Sequence, residues 1–184
     1  MRGRRKFGKP AHDDAVTSTP PTPEQIRALT FQRAVKLLAA KPRSIAELSE
    51  RLLEGKRTTK VAVDEVIARL REYGYLDDER FAFGYASLKV RQRPVGRARL
   101  ERELMFKKVN REVADEALDL VFAETSEEEL IDRAIEKRIR LRGKLTNRAA
   151  AKKLFDHLLR QGFPFELVSE KVRAVMQAES DEDI

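Results

Sequence analysis

Leu48, Leu100 and Leu154 hold the same place in three segments built to one plan, so the sequence repeats with a period of roughly 50 residues. In each segment the Leu lies in the second of three apolar patterns that recur at helical spacing. Leu100 to Val113 and Leu154 to Leu167 are equally spaced, while the first segment carries two extra residues between Leu48 and Val63. A unit of roughly 50 residues is about the lower size at which a domain folds without help, and repeats stacked end to end contact mainly their neighbours. The period therefore predicts an all-α fold, an elongated and curved array of three tandem three-helix repeats of helix-turn-helix type. Leu, Ala, Glu, Arg and Lys dominate, and no run alternates like a strand, which fits.

Cap signals place the helices. Thr22-Pro23-Glu24-Gln25 and Ser44-Ile45-Ala46-Glu47 read as capping boxes, and Ser126 and Asn110 as later caps. Between the first two repeats lies a joint of Tyr73, Gly74, Tyr75, Leu76, Asp77, Asp78, Arg80, Phe81 and Tyr85. Gly74 stops one helix because it has no Cβ to clash in a left-handed turn, and Asp77 or Asp78 caps the next. Phe81, Tyr85 and Leu88 are expected to form its buried stripe, with Tyr75 and Leu76 plugging the seam. The chain then divides into a disordered basic tail at 1–22, repeats at 23–76, 77–124 and 125–178, and an acidic tail at 179–184.

Catalytic chemistry finds no foothold. The chain has no cysteine and two histidines, His12 in the tail and His157 alone on a helix, so neither a zinc set nor a nucleophile triad can be assembled. Asp77 and Asp78 could act as acid and base or hold magnesium, but at a first helical turn capping accounts for them. No enzyme activity, cofactor or metal is expected. No apolar run approaches membrane-spanning length, and the expected location is the cytoplasm.

The net charge of +7 is unevenly placed. One basic cluster holds Lys89, Arg91, Arg93, Arg97, Arg99, Arg102, Lys107 and Lys108, interrupted by Glu101 and Glu103. The other holds Arg133, Lys137, Arg138, Arg140, Arg142, Lys144, Arg148, Lys152 and Lys153, with Glu136 among them. Lys137, Arg140 and Lys144 share a face if their helix reaches that far. These are candidate contacts for a polyanion or an acidic partner, set against the plain reading of a solvated face.

The first repeat also looks like the helix-turn-helix of an independent DNA-binding regulator. Such a reader needs base-contacting side chains at the start of its second helix, where only Arg57, Thr58, Thr59 and Lys60 stand, and no strand pair follows for a wing. A helical-repeat adaptor for an acidic protein is a third reading.

GYLDDERFAFGY at 74–85, then Gly96, Leu100, Glu103 and Leu104 leading into KKVNREVADEAL at 107–118, resembles the RecX family of RecA regulators, over about residues 26–176. Lys108 departs from the pattern, which has Gly there; a left-handed Lys costs on the order of 1 kcal/mol and would reshape that turn. The resemblance implies a non-catalytic modulator that binds RecA filaments on single-stranded DNA in the filament groove. It further implies restraint of filament growth, ATP hydrolysis, strand exchange and co-protease activity, in DNA repair, recombination and the SOS response. A monomer with weak sequence-independent DNA binding is the accompanying expectation.

Overall fold

The computed structural model describes residues 20–182, where every regular element is a helix. These are α1 (Pro23–Ala40), α2 (Ile45–Leu53), α3 (Lys60–Glu72), α4 (Asp78–Gln92), α5 (Arg97–Phe106), α6 (Arg111–Glu124), α7 (Glu127–Arg142), α8 (Arg148–Gln161) and α9 (Phe165–Glu182). They pack as three triads in chain order, which is the all-α repeat array that the period predicts. Residues 1–19 of the expected basic tail lie outside the described residues. At the other end α9 continues to Glu182, so the acidic segment from 179 extends a helix instead of starting a tail there. Ala178-Glu179-Ser180-Asp181-Glu182 contains no Gly or Pro to stop it.

The apolar residues gather in two clusters. Repeat 1 encloses Ala34, Leu48, Leu52, Val63, Val66, Leu70 and Leu76, whereas repeats 2 and 3 share a continuous core running from Ala82 through Leu100 and Leu118 to Leu130, Leu154 and Val172. Within repeat 2, α4 packs on α6, and both bury small residues, Ala82 and Ala86 on one, Ala114 and Ala117 on the other. That choice turns α4 by one residue from the expected stripe. Ala82, Ala86 and Val90 are buried, Phe81 and Tyr85 are half-buried, and Leu88 is 54% exposed. Small side chains let two helices approach closely, so the larger neighbours are pushed to the flanks.

The seam between repeats 1 and 2 is open on one side. Leu76 is buried as expected, but Tyr75 is 70% exposed and does not plug it. Tyr75 and Leu88 instead line a groove of about 1020 Å³ with Phe31, Val35, Leu38 and Gly84. Tyr73 meets the Tyr75 ring edge-on, and Arg80 donates a hydrogen bond from its guanidinium to the Gly74 carbonyl, tying the joint.

Three turns share one geometry. Gly74, Lys108 and Gly162 have φ of 70°, 60° and 91°. Each is followed by a backbone amide that reaches back to a buried Leu: Tyr75 to Leu70, Val109 to Leu104 and Phe163 to Leu158. Lys108 thus keeps the turn that Gly makes at the other two places, and the turn is not reshaped. Its strain, about 1–2 kcal/mol for a left-handed L-residue, is set against the buried Val109 beside it and a pair between its ammonium and Glu50.

The two junctions between repeats are built alike. Ser44, the N-cap of α2, donates its hydroxyl to the Lys107 carbonyl at the end of α5, and the amide of Gly96, the N-cap of α5, donates to Gln161 at the end of α8 at 3.0 Å. Asp78 accepts from the first amide of α2, Ile45, at 2.9 Å; Glu127 accepts from the first amide of α5, Arg97, at 2.7 Å. Asp78 therefore does not cap its own helix, since Asp77 alone accepts from Arg80, at 2.9 Å. Similarly, Ser44 accepts from the Glu47 amide, but the Glu47 carboxylate leaves the expected capping box and pairs with Lys107 across the junction. At the second junction Gly96 is essential: a Cβ there would sit 2.4 Å from the Gly162 backbone.

Candidate polyanion interface

Most of the first basic cluster is engaged inside the protein. Lys89, Arg93 and Arg99 converge on Glu103 at 3.7, 3.1 and 3.0 Å, and the Tyr85 hydroxyl donates to it at 2.7 Å. Burial pushes the Glu103 carboxyl up, but the Tyr85 and Arg99 hydrogen bonds and the charges of Lys89 and Arg93 outweigh it, leaving Glu103 below its ordinary value. Burial, and then the bond to Glu103 and its negative charge, push the Tyr85 phenol up to about 12.

Arg97 reaches Asp119 at 2.7 Å and Asp115 at 4.0 Å, bracing α5 on α6. Lys107 and Lys108 pair with Glu47 and Glu50 of repeat 1. Burial raises the Glu47 carboxyl, yet Lys107 and Lys41 hold it below the usual range. What the sequence presents as one surface is therefore largely a set of struts. Arg91 and Arg102 remain exposed with no ion pair among the described residues.

The second cluster is different. Arg133, Lys137, Arg138, Arg140, Arg142, Arg148, Lys152 and Lys153 make no ion pair among the described residues, and all but half-buried Arg138 are exposed. Arg133, Lys137 and Arg140 fall on one face of α7 at steps of four and three residues. Lys144 does not join them: α7 ends at Arg142, and Gly143 turns the chain away at φ 83°. Asn147 then caps α8, accepting from Ala150 at 2.9 Å and directing Arg148, Lys152 and Lys153 outward.

His157 links the clusters. Burial lowers its pKa, and the charges of Arg138 from α7, Arg160 from α8 and Arg99 from α5 lower it further, so the imidazole is neutral at pH 7 among three guanidiniums. His157 thus lies within the field of one arginine each from α7, α8 and the start of α5. Two residues there escape sequence reasoning, Arg160 and Phe106. Phe106 is 85% exposed and shares a cavity of about 340 Å³ with Arg102 and Arg160. Its signal is spacing, since 99, 102, 103 and 106 fall on one face of α5.

Among the described residues, no group of three or more His, Asp or Glu is placed to hold a metal ion, and no helix is long and apolar enough to cross a membrane. No strand forms a wing after α3 among them.

Comparison with known proteins agrees with this architecture. The family description RecX, second three-helix domain, matches residues 77–118, and RecX, third three-helix domain, matches 126–172. Regulatory protein RecX of Treponema pallidum is 39% identical over 133 residues, covering 68% of this chain and 80% of its own. Regulatory protein RecX of Bacillus subtilis is 31% identical over 153 residues, covering 83% of this chain and 57% of its own. The crystal structure of RecX from Lactobacillus salivarius superposes with a TM-score of 0.72 at 18% identity, over 84% of this chain and 99% of that one, which is a likeness of fold. These matches place the chain in the RecX family of regulatory proteins.

Proposed function

We propose that the protein restrains RecA without catalysing a reaction itself. It lies in the groove of a RecA filament on single-stranded DNA, where it limits filament growth, ATP hydrolysis, strand exchange and co-protease activity. Its setting is the cytoplasm, in DNA repair, homologous recombination and the SOS response. The observation that carries this reading is the set of exposed cations Arg133, Lys137, Arg140, Arg148, Lys152 and Lys153, which make no ion pair among the described residues, on an array whose two junctions repeat one geometry. A regular array suits a regular partner, and unneutralised cations suit the acidic groups and phosphates that such a filament presents.

The α7 face and the start of α8 make the contacts, while Arg99, Lys107 and Lys108 reach across the junctions to Gln161, Glu47 and Glu50 and keep the repeats at their angle. The test is ATP turnover by RecA on single-stranded DNA as the protein is titrated in, with its binding to free DNA measured in the same buffer. Inhibition at concentrations well below those that coat the DNA is expected. Unchanged turnover, with sequence-selective duplex binding instead, would overturn the reading in favour of an independent helix-turn-helix regulator.

A further inference from the structure

The end of α5 combines features that belong to a nucleotide site. Phe106 is the most exposed large apolar side chain among the described residues, whereas Phe81, Phe83 and Phe122 on α4 and α6 are half-buried. It stands one helical turn after Arg102, and the two share a cavity of about 340 Å³ with Arg160 of α8. Neither Arg102 nor Arg160 makes an ion pair among the described residues. Glu103 also lines this cavity, but its charge is met by Lys89, Arg93 and Arg99 and by the Tyr85 hydroxyl, so it offers little repulsion to an incoming anion.

We infer that the Phe106, Arg102 and Arg160 cavity binds one unpaired nucleotide of a single strand, its base stacked on the Phe106 ring and its phosphate held by the two guanidiniums. An exposed ring beside free arginines is the arrangement by which single-stranded nucleic acid is held without sequence preference, since every base has a π-face. A duplex keeps those faces stacked internally, and an acidic peptide would satisfy the arginines while leaving the ring in water. The cavity's size suits a single nucleotide-sized group. This inference rests on the reading that the protein meets RecA filaments on single-stranded DNA, and it specifies where the strand is touched.

The chain has no tryptophan and three tyrosines, so Phe106→Trp introduces a single indole at the site, excited apart from the tyrosines at long wavelength. Titrating the full-length variant with an oligothymidylate is expected to quench its emission saturably, and quenching should also accompany addition to RecA filaments. Phe106→Ala should weaken oligothymidylate binding about five- to hundredfold with an unchanged salt dependence, whereas Arg102→Ala should reduce the salt slope by about one. Circular dichroism should show both variants folded, because neither side chain is buried.

Unchanged indole emission from Phe106→Trp at saturating oligonucleotide, or full affinity in Phe106→Ala, overturns the stacking role. If inhibition of RecA turnover persists in that case, only this inference fails. Absence of any effect on RecA turnover sinks the wider reading instead, whatever the introduced fluorophore reports.

Discussion

The carboxylate of Asp78, the first residue of α4, accepts a hydrogen bond from the first amide of α2, Ile45, at 2.9 Å, and Glu127 does the same for Arg97 one repeat later at 2.7 Å. α4 and α7 thereby each satisfy an orphan amide at the start of the second helix of the preceding repeat, and a negative group sits where that helix end is positive. Burial raises the pKa of both carboxyls above the ordinary value.

Removing this latch should cost more than removing a cap. Asp77→Ala, which loses an ordinary N-cap, is expected to lower stability by about 1 kcal/mol. Asp78→Ala strands the Ile45 amide and should cost about 1–3 kcal/mol, with Asp78→Asn recovering much of it because the amide oxygen still accepts. Urea denaturation separates the three variants; equal losses for Asp77→Ala and Asp78→Ala, with no recovery in Asp78→Asn, would dismiss the latch.

Charge reversal should divide the two basic clusters. Arg97→Glu loses Asp119 and sets like charges together, with an expected loss of about 1 kcal/mol. Lys137→Glu with Arg140→Glu should leave thermal stability within about 0.5 kcal/mol per site, because neither residue is paired, while weakening inhibition of RecA. Thermal melts and ATP turnover on the same samples make the comparison. Full inhibition by the double variant would remove the α7 face from the interface.

Left-handed glycines should not be equivalent. A Cβ at Gly74 meets only the Arg80 guanidinium, at 3.9 Å, so Gly74→Ala costs chiefly backbone strain, about 1–2 kcal/mol. At Gly162 the same atom would lie 2.4 Å from the Arg99 amide nitrogen, and overpacking adds about 1–3 kcal/mol. Guanidinium unfolding of the two variants should rank Gly162→Ala as the more damaging; the reverse order would show that the close approach of repeats 2 and 3 relaxes freely.

Alkaline and acid limits should both reflect the Tyr85–Glu103 pair. Tyr85 titrates near 12 in the folded chain against 10.0 when unfolded, so its contribution is complete below pH 10 and is lost as pH rises toward 12. Glu103 is shifted down, so its contribution is present above the ordinary carboxyl value of 4.5 and falls away as pH drops through the folded value. Stability measured from about pH 3 to about pH 11 should therefore decline at both ends. Tyr85→Phe should flatten the alkaline decline relative to wild type, and an identical decline in that variant would count against the pair.

How much of this was legible in the sequence depended on whether the signal was local. Caps at Thr22, Ser44, Asp77, Asn110 and Ser126 act within one turn of their own helix, and each stands where its residue type demands. The stripe of α4 departs from expectation because helical period does not reveal that Ala82 and Ala86 permit close packing on α6, which pushes Leu88 outward. Arg97 and Lys137 look alike in a charge run. Only the fold brings Asp119 into ion-pair distance of the former and, among the described residues, no acid into ion-pair distance of the latter, and Arg160 joins Phe106 only across the junction.

The latch also bears on how copies of the chain can meet. Joining repeats head to tail is an open operation: applied between molecules as it is applied within one, it would generate a fibre. At the place in α1 that corresponds to Asp78 and Glu127 stands Pro23, a pyrrolidine ring with no acceptor on its side chain. A second molecule setting its α8 before α1 would find its first amide, at Arg148, without the carboxylate that both internal junctions supply. The contact that orders the three repeats thus lacks its side-chain acceptor at the first residue of the first described helix.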